Sequence, residues 1–398
     1  MNIPFSSSAR RMRTSEIRDL MKYAADPAII SFAGGMPNEA LFPTEEIDAI
    51  YSQLTLKDKR AAFQYTATSG YPPLLESLRT YLKDKGLPVE RDILMVTTGS
   101  LQAINLVAKV LIDPDDVVLT EYPCFIGAIS AFLAYGARLV SAATDENGVI
   151  LSELSGLLGK HHNSAKLLYL TPYFHNPAGL IYSRERKMKL SGLLEEAKIP
   201  LIEDDAYSEL YYSEEVRELT RPLKADADPD LPICYTGSFS KILGPGMRLG
   251  WLLAPAEIAV KCELAKQSMD ACSPTFTQVL ADRFLRTGML ERYLLRVRPI
   301  YARRLHLMLS ALEATMPDGV KWSTPLGGFY VWITLPPDVD ATEVLRLSIE
   351  KGAVFVVGKT FDPEGRRNNA LRLAFSHTSE DKIARGVEIV AGSIKSKM

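Results

Sequence analysis

The sequence is short of the features that mark metal-binding, secreted or membrane-spanning chains. Its 398 residues include only four cysteines and five histidines, and no two cysteines have the Cys-x-x-Cys spacing of a zinc or redox site. The first residues lack the apolar core of a signal peptide. The longest uncharged run, residues 122–137, is shorter than the about 18 to 20 residues that span a bilayer. We therefore expect no metal site, buried reduced thiols and a cytoplasmic location.

An excess of charge of one sign is missing as well. The formal net charge is −2, so the chain has no broad attraction for nucleic acid or for an anionic membrane. The hydrophobic share of 47% and the charged share of 24% are those of an ordinary globular protein, and there is no internal repeat or low-complexity stretch. A chain of this length can bury a core that needs no disulfide or metal.

What the chain does have is a loop rich in hydroxyls and glycine, Thr236-Gly-Ser-Phe-Ser-Lys-Ile-Leu-Gly-Pro-Gly-Met-Arg248, between two strand-like apolar runs. Two hydroxyls and a guanidinium, from Ser238, Ser240 and Arg248, suit a phosphate. A lysine beside a phosphate site, here Lys241, indicates a phosphorylated carbonyl cofactor held as a Schiff base, which points to pyridoxal 5'-phosphate. The alternative is a basic surface loop that binds nothing.

Short apolar runs alternate with helical stretches through most of the chain, which favours an α/β fold with a mostly parallel sheet covered on both faces. The tail has three strand-like runs (321–334, 354–357 and 370–375) with intervening helices, which indicates a separate α+β domain. We expect an N-terminal segment (1–45) that joins the small domain, a large cofactor-binding domain (46–295) and a small C-terminal domain (296–398).

Polar residues follow these strands, at the edge where parallel sheets bind ligands. Gly99-Ser100 opens a helix, and its free N–H groups, with that of Leu101, suit a phosphate. Asp204, expected at the sheet edge and only partly desolvated, could keep a pyridine nitrogen protonated. Asn176 and Tyr207 could donate to the phenolate oxygen of the same ring. The alternatives are an acidic loop for Asp204, a turn for Asn176 and a core position for Tyr207.

Taken together, these residues resemble those of fold-type I aminotransferases of class I/II, and most closely the 2-aminoadipate/kynurenine aminotransferase group. The resemblance runs over nearly the whole chain. It implies a large domain with a mostly parallel, mainly seven-stranded sheet between helices, a smaller α+β domain, and pyridoxal 5'-phosphate as cofactor. The motifs that carry it are Ser31-Phe-Ala-Gly-Gly-Met-Pro37, Gln64-Tyr65, Thr98-Gly-Ser100, Asn176-Pro-Ala-Gly179, Glu203-Asp-Asp-Ala-Tyr207, Gly237-Ser-Phe-Ser-Lys241, Pro245-Gly-Met-Arg248 and Leu371-Arg372.

The resemblance implies the ring, lysine and phosphate roles given above and adds further residues. Arg372 is similar to the arginine that binds the α-carboxylate of the substrate, which Gly35 and Asn176 are also expected to contact. Tyr65 is similar to a tyrosine that reaches the phosphate of the neighbouring subunit, which implies a homodimer with shared active sites.

Two further positions, Ser15 and Arg18, match an N-terminal helix that closes over the substrate in some relatives. The sequence also departs from the family pattern. Phe125 stands where the family usually stacks a tyrosine on the ring, so stacking is kept and a hydroxyl is lost. Ala178 replaces a threonine, and Leu101 replaces a frequent glutamine, which leaves only its backbone N–H for the phosphate.

The resemblance implies an aminotransferase that works by a ping-pong mechanism, with 2-oxoglutarate as the expected acceptor. A β-lyase or decarboxylase with the same cofactor is the alternative, because the bond that breaks depends on how the substrate is oriented. A non-catalytic sensor of a transcription regulator is a third reading, although about 30 residues are too few for a preceding winged helix. Arg18 favours an acidic donor, whereas Tyr23, Phe125 and Tyr330 would suit an aromatic one.

Overall fold

The structure, a computed structural model, describes residues 3–12, 20, 22–23 and 26–398. The predicted positions Ser15 and Arg18 lie outside these residues. The strands are β1 (Ile30–Ser31), β2 (Ile93–Thr97), β3 (Val117–Tyr122), β4 (Arg138–Asp145), β5 (Gly148–Val149), β6 (Ala165–Leu170), β7 (Leu201–Asp205), β8 (Ile233–Ser238), β9 (Gly250–Ala254), β10 (Lys321–Trp322), β11 (Tyr330–Thr334), β12 (Ala353–Val354), β13 (Val356–Val357) and β14 (Ala370–Ala374).

Helices separate most of these strands. They are α1 (Ser7–Arg11), α2 (Thr44–Gln53), α3 (Leu56–Ala62), α4 (Pro72–Asp84), α5 (Ser100–Leu111), α6 (Ile126–Ala134), α7 (Leu151–Lys160), α8 (Arg184–Ala197), α9 (Glu214–Arg217), α10 (Leu223–Asp226), α11 (Ala256–Asp270), α12 (Thr275–Arg286), α13 (Met289–Thr315), α14 (Ala341–Glu350) and α15 (Glu380–Lys395). No helix in the described ranges is both long and apolar enough to cross a membrane.

The large sheet has the strand order β2-β9-β8-β7-β6-β3-β4-β5. β8, β7, β6, β3 and β4 run parallel, whereas β9 is antiparallel to both of its neighbours. The mostly parallel sheet predicted from the sequence is confirmed. Seven strands form its body, and the eighth, β5, is a two-residue strand that turns back on the end of β4.

Both faces of this sheet are buried, which explains its continuous apolar strands. In β2, Leu94 and Val96 pack with the α4 side of the core, whereas Met95 points to the opposite cluster, which α5, α6 and α11 cover. All four cysteines are free. Three of them are buried as the sequence predicted, whereas Cys272 is only half-buried, so the prediction is wrong for that residue.

The C-terminal part of the chain builds a smaller antiparallel sheet with the order β10-β11-β14-β13. The apolar run predicted as one strand over 321–334 is two strands, because a turn containing Gly327 and Gly328 separates β10 from β11. β1 pairs in parallel with β12, so the chain after residue 29 returns to this C-terminal part. This return places the Ala33–Gly35 backbone next to β14, because Ala374 N donates to Phe32 O at 2.9 Å.

Candidate active site

Neighbouring strands of the large sheet deliver the predicted residues to one edge. β3, β6, β7 and β8 are adjacent and parallel. Phe125 follows β3, Asn176 follows β6, Asp204 lies within β7, and Lys241 ends the 3-10 turn after β8. Because β9 runs the other way, Arg248, two residues before its start, lies at the same edge. The topology therefore gathers residues that are far apart in the sequence.

The amine of Lys241 lies among aromatic and cationic groups. Nζ donates to the carbonyl oxygen of Gly35 at 2.9 Å and lies 5.5 Å from the centre of the Tyr207 ring. The residue is half-buried as a whole, but its amine is enclosed. Burial, and then the positive charges of Arg372 and Arg248, lower the pKa of Lys241 to about 8. An amine that loses its proton this readily is a better nucleophile toward a carbonyl.

Asp204 is fully buried rather than partly solvated at the sheet edge, so that expectation from the sequence is wrong. The residue is 3% exposed, because β7 continues to Asp205 between two neighbouring strands. Tyr169 donates its hydroxyl to Oδ2 at 2.7 Å, whereas Oδ1 is buried and has no hydrogen-bond partner among the described residues. Burial raises the pKa of Asp204 to about 7, although the Tyr169 hydrogen bond opposes the shift.

Tyr207 is joined to a second buried tyrosine. The hydroxyls of Tyr207 and Tyr330 lie 2.8 Å apart, and the Tyr330 hydroxyl is 3.5 Å from the carbonyl oxygen of Gly35. A Cβ added to Gly35 would lie 2.0 Å from the Tyr330 hydroxyl. Glycine is therefore required at position 35 for this close approach. The ring of Tyr207 is buried in the core, while its hydroxyl is hydrogen-bonded at the site, so the residue is both a core residue and a polar group of the site.

Arg372 projects from β14 and is 2% exposed. Nη1 donates to Oδ1 of Asn176 at 2.9 Å, Nη2 donates to the carbonyl oxygen of Ala33, and Nε has no hydrogen-bond partner in the described part of the chain. The guanidinium lies 4.5 Å from the centre of the Tyr330 ring. Because Asn176 accepts with its amide oxygen, its NH2 group remains available as a donor.

Three segments meet where the sequence predicted a phosphate. Gly250 opens β9 and pairs with Thr97 on one side and Ser238 on the other. A Cβ on Gly250 would lie 2.6 Å from the carbonyl oxygen of Gly237 and 2.7 Å from the backbone nitrogen of Ser100. The first turn of α5 is thus held directly against the end of β8. This turn suits an anion because it carries free N–H groups and the positive end of the helix dipole.

The predicted side-chain ligands of the phosphate surround this junction. The Oγ of Ser238 accepts from the backbone N–H of Ser240 at 3.1 Å. Arg248 adopts a φ of 51°, which is uncommon for a residue other than glycine, and its Nη2 donates to the carbonyl oxygen of Thr98 at 3.3 Å. A Cβ on Gly99 would lie 3.2 Å from the same Nη2, so the exposed Arg248 side chain crosses the strand–helix turn.

Phe125, Leu101 and Tyr65 lie at the periphery. A Cβ on Gly127 would lie 2.6 Å from the Phe125 ring and 3.2 Å from a methyl group of Leu101, so these two side chains are neighbours. Phe125 is half-buried and Leu101 is exposed. The side chain of Tyr65 is 82% exposed and makes no hydrogen bond or ring contact within the described residues, so a single chain does not join it to the site.

Three buried residues of this site were not predicted from the sequence: Tyr169, Glu121 and His175. The Nδ1 of His175 accepts from the backbone N–H of Ala178 at 3.1 Å, which leaves its proton on Nε2. Nε2 lies 3.2 Å from Oε1 of Glu121, without the straight geometry of a good hydrogen bond. This contact supports the loop that carries Asn176. The histidine next to Asn176 was a signal that could have suggested it; nothing in the sequence identifies Glu121 or Tyr169 as partners.

The donors and acceptors at this edge fit the predicted cofactor. The unpartnered Oδ1 of Asp204 suits a protonated pyridine nitrogen, since an unpaired buried carboxylate oxygen is costly. The amine of Lys241, the free amide donor of Asn176 and the anion-suited junction at Gly250 supply the other three contacts that pyridoxal 5'-phosphate requires.

Comparison with known proteins agrees with this chemistry. The family model for aminotransferase class I and II matches residues 37–390. The chain is 37% identical over 398 residues to aromatic-amino-acid aminotransferase 1 of Thermococcus litoralis, covering 99% of this chain and 94% of that protein. It is 35% identical over 392 residues to 2-aminoadipate transaminase of Thermus thermophilus, covering 98% and 96%.

Solved structures show the same fold. The kynurenine aminotransferase of Pyrococcus horikoshii, solved in complex with PMP, superposes with a TM-score of 0.94 at 38% identity, covering 99% of this chain and 97% of that one. The family match spans most of the sequence and includes all the elements of the large sheet. The chain therefore belongs to the aminotransferase class I and II family, and it is a pyridoxal phosphate-dependent enzyme that moves an amino group from an amino acid to an oxo acid.

Proposed function

We propose that Lys241 binds the cofactor as a Schiff base, that Asp204 keeps its ring nitrogen protonated, and that Asn176 and Tyr207 donate to its phenolate oxygen. The buried, unpartnered Oδ1 of Asp204 is the observation that carries this assignment. When bound, the cofactor stabilises negative charge at the substrate α-carbon. The amine of Lys241, with its lowered pKa, would take the proton from the substrate α-carbon and deliver it to the cofactor carbon on the other side of the intervening nitrogen.

The phosphate is assigned to the junction at Gly250. The backbone N–H groups of Ser100 and Leu101, the hydroxyls of Ser238 and Ser240, and the guanidinium of Arg248 are its proposed ligands. The close approach of α5 to β8 supports this assignment, because it holds the free N–H groups of α5 beside the end of β8 and leaves no space for a side chain at position 250. Phe125, half-buried beside the start of α5, is the proposed stacking residue for the ring.

Arg372 is the proposed ligand of the substrate α-carboxylate, with Gly35 and Asn176 beside it. Its Nε is buried and free of partners among the described residues, and a planar guanidinium suits a carboxylate in bidentate fashion. Its guanidinium lies 5.0 Å from the centre of the Phe361 ring. Phe361 belongs to an apolar cluster with Trp332, against which the partly buried Tyr23 packs. This environment supports donors with aromatic or apolar side chains, whereas acidic donors would depend on Arg18.

The reaction is proposed to follow a ping-pong course, with 2-oxoglutarate as the acceptor. The same Arg372 would then bind the α-carboxylate of the donor in the first half-reaction and that of the acceptor in the second. One carboxylate site used twice requires the first product to leave before the second substrate binds. Parallel lines in double-reciprocal plots of initial rates would support this order.

A homodimer in the cytoplasm is the proposed assembly. Tyr51 and Phe63 each contact Phe276 at 5.9 Å on the surface, and the neighbouring Tyr65 is 82% exposed. An exposed aromatic patch of this kind is costly unless it is covered. A second copy of the chain would cover it and would bring Tyr65 to the phosphate of the other subunit.

We also propose the division into an N-terminal segment (1–45), a large domain (46–295) and a small domain (296–398). The pairing of β1 with β12 supports the attachment of the N-terminal segment to the small domain. The change from the large to the small domain falls within the continuous helix α13.

Replacement of the lysine is the direct test of this function. Lys241→Ala should abolish turnover and the visible absorption band of the lysine-bound cofactor. Lys189→Ala, which removes an exposed lysine of α8, should leave both unchanged. An alanine variant at 241 with full activity and an unchanged band would refute the proposed function.

A further inference from the structure

Tyr207 and Tyr330 share one short hydrogen bond between two hydroxyls that are both buried. Each hydroxyl has one proton, and the oxygens lie 2.8 Å apart. If Tyr207 gives its proton to the phenolate oxygen of the cofactor, it cannot also donate to Tyr330. The bond between the two residues then has to be made by the proton of Tyr330.

From this proton count we propose that Tyr330 is a positioning residue that donates to Tyr207 and thereby commits the Tyr207 proton to the cofactor. The inference rests on the proposed role of Tyr207. It assigns Tyr330 a task that the sequence does not indicate, because the sequence suggests only that its ring suits an aromatic donor. A hydroxyl that accepts a hydrogen bond is also a stronger donor in a low-dielectric site.

The surroundings of Tyr330 hold its hydroxyl in place. The residue is 1% exposed, and the Arg372 guanidinium lies on its ring face. On the other side, Gly35 has no side chain, and even a Cβ there would overlap the hydroxyl. The alternative acceptor, the carbonyl oxygen of Gly35, is 3.5 Å away, so the Tyr207 oxygen at 2.8 Å is the better partner.

Three charged groups act on this tyrosine pair from the surrounding elements. Arg372 of β14 and Asp204 of β7 influence Tyr207 with opposite signs, and the amine of Lys241 lies 5.5 Å from its ring. Arg372 also lowers the pKa of Tyr330, although burial raises it more. Because a Tyr330→Phe substitution leaves all three charges in place, it isolates the contribution of the hydroxyl.

The test is the pH titration of the visible band of the bound cofactor in four proteins: wild type, Tyr207→Phe, Tyr330→Phe and the double variant. A hydrogen bond to the phenolate oxygen removes negative charge that would otherwise stabilise the protonated Schiff base. Losing it should raise the titration midpoint. We expect a clear rise in Tyr207→Phe, a smaller rise in Tyr330→Phe, and no additional rise from Tyr330→Phe when Tyr207 is already phenylalanine.

Turnover should follow the same pattern. Tyr330→Phe keeps the ring under Arg372, so we expect kcat to fall about 3- to 10-fold with little change in KM. Tyr212→Phe is the matched control, because it removes another buried hydroxyl, one that donates to the Gly328 carbonyl oxygen and not to Tyr207. Its midpoint should equal that of the wild type.

Gly35→Ala is a second test of the Tyr330 hydroxyl, because the added Cβ must displace that hydroxyl. This variant should also raise the titration midpoint. An unchanged midpoint in Tyr330→Phe, or an equal rise in both backgrounds, would overturn the inference while leaving the proposed function standing. An unchanged midpoint in Tyr207→Phe would instead remove the role of Tyr207 on which both depend.

Discussion

The two ends of the candidate site are built in different ways. The ring end consists of buried side chains on strands or in the loops beside them: Tyr169, Asp204, Tyr207, Tyr330 and Arg372. The phosphate end consists mainly of backbone groups and exposed or small side chains on turns: Gly99, Ser100, Ser238, Ser240 and Arg248. At the ring end, Oδ1 of Asp204 and Nε of Arg372 have no hydrogen-bond partner among the described residues, whereas the phosphate end is defined by how closely two backbones approach.

This difference shows what each end contributes. In the buried ring end, a charge is costly unless it is paired, so in the proposed assignment the cofactor would supply the partner that the buried carboxylate lacks. At the phosphate end, solvent and the dipole of α5 already favour an anion, so the proposed site would bind the cofactor without depending on its ring. Substitutions at the ring end should therefore change mainly kcat, and substitutions at the phosphate end should change mainly the affinity for the cofactor.

Asp204→Asn should have the largest effect and should act on chemistry. The amide cannot hold a proton on the ring nitrogen, so we expect kcat to fall by at least about 100-fold while the cofactor remains bound through its phosphate. The measurement is kcat together with the cofactor content of the purified variant. Loss of the cofactor with normal kcat in the remaining holoenzyme would reverse the division of tasks between the two ends.

The unfolding free energy of the apoprotein should depend on pH, because the carboxylate of Asp204 is buried without a partner for Oδ1 among the described residues. The folded-state pKa of Asp204, about 7, is above its ordinary value of 3.8, so the stabilisation from the protonated form is complete below pH 4 and is lost as the pH rises through 7. The Asp204→Asn variant lacks this pH-dependent contribution, because an amide does not titrate. Between pH 5 and 8 the unfolding free energy of the wild-type apoprotein should fall by about 2 to 3 kcal/mol relative to that of the variant.

Chemical denaturation of both apoproteins at the two pH values measures this difference, and other titrating groups cancel in the comparison. Addition of the cofactor should remove it, because the ring nitrogen then pairs with the charged carboxylate. A difference between the two proteins that does not change with pH would show that Asp204 is already ionised without a partner.

Gly250→Ala should act on affinity. Its Cβ would lie 2.6 to 2.7 Å from three backbone atoms of the junction, so the start of α5 must move away from β8. We expect the cofactor to bind about 10- to 100-fold more weakly, as for the loss of one or two hydrogen bonds to a charged group, with a smaller change in kcat at saturation. Gly246→Ala is the control, because a Cβ there meets no atom within 4 Å.

Tyr169→Phe should have the smallest effect and should again be confined to the ring end. Oδ2 of Asp204 loses its donor, which we expect to cost about 1 kcal/mol in stability and about 5- to 10-fold in kcat. Tyr235→Phe is the matched control, since its hydroxyl donates to the neighbouring carboxylate, that of Asp205. Equal losses of kcat in the two variants would mean that Tyr169 supports only the fold.

The sequence predicted the phosphate end and the strands in more detail than the ring end, for a physical reason. The serines, glycines and arginine of the phosphate end sit in short segments whose turn chemistry is local. Continuous apolar runs likewise predict buried parallel strands. The assignments of these residues to the cofactor remain proposals, whereas their convergence at one edge follows from the observed strand order.

The ring end depended on contacts that no local pattern encodes. Tyr169 reaches Asp204 only because β6 lies beside β7, and Tyr330 reaches Tyr207 because the two sheets meet there. The sequence predicts a partly desolvated Asp204 at the sheet edge, with an acidic loop over residues 203–205 as the alternative. The structure buries all three, because tyrosine hydroxyls donate to each of them: Tyr173 to Glu203, Tyr169 to Asp204 and Tyr235 to Asp205.

A crystal structure of the chain with pyridoxal 5'-phosphate tests the central assignment most directly. The account predicts the ring nitrogen within hydrogen-bond distance of Oδ1 of Asp204, continuous density from Lys241 to the cofactor, and the phosphate at the junction of Ser100, Ser238 and Arg248. A ring nitrogen that points away from Asp204, with Oδ1 still unpaired, would contradict it.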